Sequence, residues 1–132
     1  MARPRSEQPT PGELEVLQVL WQRGPATVRQ VMNDLNASRP RAYTSVMSLL
    51  NVMGDKGLLR RKPHGRAFLY SARVRRRPTL RRMVADLLNR AFQGSAEQLI
   101  AHMLEQTEPS AEELSELRRL IDEYRARKEG HS

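Results

Sequence analysis

The stretch Ala42–Ser71, AYTSVMSLLNVMGDKGLLRRKPHGRAFLYS, decides how the rest of the chain is read. Its first half sets Val46, Leu49, Leu50 and Met53 at i, i+3, i+4 and i+7, one apolar stripe of helical period. The opposite face carries Thr44, Ser45, Ser48, Asn51 and Asp55, short polar side chains that let another surface come close. Gly57 falls where such a helix ends, because glycine enters the left-handed cap without strain. Leu58–Lys62 and Arg66–Ser71 then flank Pro63-His64-Gly65 in a strand, turn, strand pattern. A helix of short side chains followed by a basic hairpin is the outline of a winged helix, with the helix as its DNA-reading part.

Charge divides along the chain more sharply than its formal total of +8 suggests. Residues 1–85 hold 17 Lys/Arg against 5 Asp/Glu, net +12, whereas residues 86–132 hold 6 against 10, net −4. From Lys56 to Ala85 there are 11 basic residues and no acidic one. A solvated face so one-sided repels itself, so the block points to a polyanion, either a phosphate backbone or an anionic membrane. The absence of cysteine excludes disulfides, zinc-thiolate sites and thiol catalysis. Met1-Ala2-Arg3-Pro4-Arg5 lacks the apolar core of a signal peptide, and no apolar run approaches the roughly 20 residues that span a bilayer. A cytoplasmic protein is expected. Its 132 residues suit one domain, or one domain with an arm.

In chain order, residues 1–9 read as a loose basic arm and residues 10–73 as a winged-helix DNA-binding domain. Thr10-Pro11-Gly12-Glu13 combines a cap, a first-turn proline and a capping-box glutamate. The helix it opens carries Leu14, Leu17, Leu20 and Trp21, and Gly24-Pro25 stops it. Thr27–Gln30 repeats the capping box before Val28, Val31, Met32 and Leu35, and residues 36–41 form a loop. Residues 74–127 read as a helical dimerisation domain, with 128–132 as a tail. Leu80, Met83, Val84, Leu87 and Leu88 line one helix up to the break at Gly94. Ser95 with Gln98 opens a second helix carrying Leu99, Ile100, Met103 and Leu104. Ser110–Glu113 is a capping box for a third, with Leu114, Leu117, Leu120, Ile121 and Tyr124 apolar. Three such helices offer more apolar surface than they can hide among themselves, and a second copy is the simplest partner, with core packing within one chain as the alternative. The homodimer residues are then Leu80, Met83, Leu87, Leu88, Leu99, Met103, Leu114, Leu117, Ile121 and Tyr124. The fold class is mainly α with a small β-hairpin wing.

Within the first domain, Arg41, Tyr43, Thr44, Ser45 and Ser48 are the base-side or phosphate candidates, with Arg41 at the helix entrance. Tyr43 is equally suited to packing against the second helix. Lys62, His64 and Arg66 on the hairpin point to backbone or minor groove, although a solvated turn also accounts for His64. An enzyme is not expected. His64, His102 and His131 are scattered, Glu112-Glu113 suits a helix start, and neither a Gly-rich phosphate loop nor a nucleophile elbow occurs. No metal or cofactor is called for. The rival readings are a module for protein contacts or non-specific nucleic-acid coating, and a membrane-surface adaptor built on the basic amphipathic run Arg75–Phe92. That run lacks tryptophan, and its apolar stripe is the one the dimer needs.

Several segments together resemble the penicillinase repressor (BlaI/MecI) family: Glu13–Leu17 through Leu20-Trp21, Pro25–Val28, Tyr43–Met47, Lys56-Gly57-Leu58, Gly65–Ser71 and Gly94-Ser95. The resemblance runs from Thr10 to Tyr124. It implies a dimeric winged-helix repressor on palindromic operators upstream of β-lactam-resistance or other genes. It also implies an upstream sensor-protease pathway, since in staphylococcal members such a signal leads to cleavage in the dimerisation arm. Three departures stand out. Val52 follows Asn51 where the family often has Arg. His102-Met103 aligns with the cleaved Asn-Phe pair. The cysteine-rich tail of the copper-sensing relatives is absent.

Overall fold

A computed structural model describes residues 8–130. The N-terminal arm up to residue 7 and the end of the tail, with His131, lie outside the described residues. Six helices and one hairpin follow in order: α1 Pro11–Arg23, α2 Val28–Asn36, α3 Tyr43–Asp55, β1 Leu59–His64, β2 Ala67–Ala72, α4 Arg76–Ala91, α5 Ala96–Thr107 and α6 Ala111–Gly130. The chain divides into two compact units between Ala85 and Asp86, inside α4.

In the first unit, local chemistry fixes the helix ends. The Thr10 hydroxyl accepts from the Glu13 N–H while the Glu13 carboxylate accepts from the Thr10 N–H; Thr27 and Gln30 do the same for α2. At the end of α3, Gly57 takes φ +85°, so that its N–H donates to Gly54 O and that of Leu58 to Met53 O. Two orphan carbonyls are thereby satisfied and the chain is turned into β1.

The core is built from all three helices and the hairpin: Val16, Leu17, Leu20, Val31, Leu35, Val46, Leu50, Met53, Leu59 and Tyr70 are all buried. Ala26 joins it by pairing its backbone with Tyr70, N to O at 2.9 and 2.8 Å in the two directions. One residue of pairing carries no period, which is why the sequence shows no sign of it. Trp21 Nε1 donates to Val74 O at 3.0 Å and ties the chain after the hairpin to α1.

The hairpin departs from its expected bounds. β1 runs through His64, and the loop is Gly65-Arg66, since His64 pairs with Ala67 and Pro63 with Phe68. Pro63 is tolerated because both strands of a two-stranded ribbon are edges. Gly65, at φ +64°, takes the corner where a two-residue hairpin loop requires positive φ.

In the second unit, Ser95 caps α5 through Gln98 N–H, and Ser110 with Glu113 forms the capping box of α6. α6 continues to Gly130, six residues past its last expected apolar position, Tyr124. No residue of α5 or α6 is fully buried.

Candidate nucleic-acid interface

α3 presents two unlike faces. Val46, Leu50 and Met53 are buried, while Thr44, Ser45, Met47, Ser48, Asn51, Val52 and Asp55 are exposed. The polar residues singled out in the sequence therefore share one open surface. Ala42, at the N-cap, has no side-chain acceptor to offer the first N–H groups of α3. Such groups are ready donors for an anion. Tyr43 is exposed, and the Arg29 guanidinium of α2 lies over its ring, 5.3 Å from the centroid. Arg29 was not foreseen, because only the approach of α2 to α3 brings it there.

Arg41 is turned away from this surface. Its side chain is only 10% exposed, with Nη2 donating to Glu15 Oε1 at 2.9 Å. Nη1 donates to Leu35 O and Arg39 O, and the Arg41 N–H is held by Asn36 Oδ1 at 2.9 Å. The guanidinium fastens the connection between α2 and α3 onto α1. A basic residue before a helix reads as a phosphate contact; an acidic partner 26 residues earlier is visible only in three dimensions.

The wing gathers a row of basic side chains on one face. Lys62 and His64 alternate along β1 and share a face with Arg60, all three exposed, and Arg66 stands exposed at the tip. Arg60 belongs to the same row and was missed, although the period of two along the strand would have found it. Arg61 lies on the opposite face, its guanidinium 4.4 Å from the centroid of the Phe68 ring.

Behind the surface, Lys56 Nζ and Glu13 Oε2 form an ion pair at 2.8 Å. Burial pushes the Glu13 carboxyl up, but the Lys56 hydrogen bond, the Thr10 N–H and the Lys56 charge outweigh it. The pKa lies below the ordinary 4.5.

The residues assigned to a dimer fall into two groups. Leu80, Met83, Leu88, Leu99 and Leu117 are half-buried, whereas Leu87, Met103, Leu114, Ile121 and Tyr124 are exposed. His102 and Met103 lie inside regular α5; the His102 ring bonds Gln98 O at 2.9 Å and meets Phe92 edge-on. Among the described residues no helix is long and apolar enough to cross a membrane.

Three helices and a hairpin around one core, with a polar face of the third helix left open beside a basic wing, define a winged-helix protein. The chain belongs to the penicillinase repressor family, whose model matches residues 9–123. This is a family of repressors rather than of enzymes. The chain is 35% identical to the transcriptional regulator BlaI of Mycobacterium tuberculosis (strain CDC 1551 / Oshkosh) over 119 residues, 87% of this chain and 85% of that one. It is 26% identical to the penicillinase repressor of Bacillus licheniformis over 116 residues, covering 88% and 91% of the two chains. The solution structure of the DNA binding domain of the repressor BlaI superposes with a TM-score of 0.48 at 24% identity, over 52% of this chain and 87% of that chain.

Proposed function

We propose that this chain represses transcription by holding duplex operator DNA as a homodimer. Residues 10–73 are the DNA-binding domain and residues 74–127 the dimerising arm. The observation that carries this reading is the open face of α3, made of short polar side chains, beside a wing without an acidic residue. α3 enters the major groove, where Thr44, Ser45 and Ser48 reach base edges and Tyr43 the groove wall. Lys62, His64 and Arg66 hold the neighbouring backbone or minor groove, with Arg60 in the same row. Arg41 positions α3 rather than touching DNA. Dimerisation is supported by the apolar side chains of α4–α6 that lie open in a single chain. Full burial of each is worth about 1.5–3 kcal/mol. A two-fold dimer reads a palindrome. A sensor-protease pathway of the kind the family implies would have to unwind α5 to reach the His102–Met103 peptide.

Titration of a DNA duplex at two salt concentrations tests the reading. A dimer neutralising about 6–10 phosphates loses about 10³–10⁵ in affinity between about 50 and 200 mM salt. A flat response, or tight binding to anionic liposomes without DNA binding, would favour the membrane-surface adaptor.

A further inference from the structure

The open face of α3 is not wholly polar. Met47 is 37% exposed and Val52 46% exposed. At about 100° per residue, Thr44, Ser48, Asn51 and Asp55 make one ridge, with Met47 on one side and Val52 on the other, about 140° apart. Isolated apolar side chains on a surface are ordinary. These two flank the ridge that the proposed function lays against DNA. The ridge itself discriminates poorly, because serine and threonine hydroxyls bond donors and acceptors alike. α3 carries no arginine, lysine or glutamine with which to grip a guanine or an adenine in the bidentate manner, and Asn51 is its only amide. The single apolar group that the major groove offers is the C5-methyl of thymine.

We infer that Met47 and Val52 read thymine methyl groups, and so supply base discrimination that the hydroxyls beside them lack. This rests on the DNA-binding reading and names the ligand group of that surface. Met47 has the length and flexibility to follow a methyl along the groove floor. Val52 is short and β-branched, and its contact requires the third turn of α3 to lie close to the bases.

The test begins with selection of duplexes from a random pool by the full-length protein. In the selected duplex each thymine is replaced in turn by uracil, which removes the methyl and leaves the pairing edge intact. Uracil at one thymine per half-site facing Met47, and at one facing Val52, weakens binding about four-fold each, the factor for one methyl-sized burial. Met47→Ala removes the first loss and Val52→Ala the second, while Met47→Leu retains it. Circular dichroism stays unchanged in all three variants, since both side chains are exposed. If no duplex is enriched, the DNA-binding reading itself fails. A selected duplex whose uracil scan is flat, or whose losses persist in both alanine variants, overturns the methyl contacts and leaves DNA binding standing.

Discussion

Lys56 Nζ lies 2.8 Å from Glu13 Oε2, so the end of α3 is joined to the first turn of α1 by an ion pair whose acidic member is almost wholly buried. The other Glu13 oxygen serves the α1 cap, accepting from the Thr10 N–H. Since the folded pKa of Glu13 lies below its ordinary 4.5, the stabilisation is full above that value and is lost as pH falls through the folded pKa. Lys56→Met should cost about 1–3 kcal/mol near neutrality, as a charged hydrogen bond is lost over a buried carboxylate. The cost should shrink in acid as Glu13 protonates. Thermal melts from pH 7 down to pH 3 check this, and a cost independent of pH would rule out the pair as its source.

Arg41 gives a test of positioning against contact. With its guanidinium on Glu15 and two backbone carbonyls, Arg41→Met should destabilise the fold by about 1–3 kcal/mol and weaken operator binding. It should leave the salt slope unchanged, because no phosphate contact is lost. A slope reduced by about one contact would return Arg41 to the phosphate role that its place before α3 suggests.

Reading and holding are separable in the same way. Thr44→Ala or Ser45→Ala should cost operator affinity by about 1–3 kcal/mol per lost base contact and change binding to scrambled duplex little. Arg66→Ala should weaken both duplexes about equally and lower the salt slope by about one contact. Each variant is measured on both duplexes at two salt concentrations. Discrimination lost in Arg66→Ala but kept in the other two would make the wing the reader.

The arm is tested at Ile121, which is 55% exposed in the single chain and therefore dispensable for folding it. Ile121→Asp puts an unpaired charge into the proposed interface, a cost of several kcal/mol. Light scattering should find a monomer, with full-operator binding far weaker than that of the unaltered chain. A variant that remains dimeric places the interface elsewhere.

Much of the architecture was written in local signals. Capping boxes at Thr10, Thr27 and Ser110 involve residues three apart, and Gly57 and Gly65 mark bends at positive φ. The buried stripes of α2 and α3 follow the helical period, whereas in α1 Val16, outside the expected stripe, is fully buried and Leu14 and Trp21 are only half-buried. The same signals placed the short polar residues of α3 together on one face, and the wing after it.

What the period could not convey is which charges face one another. Three basic residues that look alike in sequence are used in three ways: Lys56 closes the fold on Glu13, Arg41 pins a loop through Glu15, and Arg61 lies over Phe68. Arg29 over Tyr43 and the single-residue pairing of Ala26 with Tyr70 are likewise meetings of distant segments. The sequence by itself determined the order of the helices, the capped helix starts, the presence of the hairpin and the basic surface, because each depends on residues within a turn or two. The hairpin register and the far end of α6 it left open. Only the tertiary structure decided which arginines and lysines are spent inside the fold. Pairing energy depends on distance in space, and a helix pattern carries no record of what packs against it.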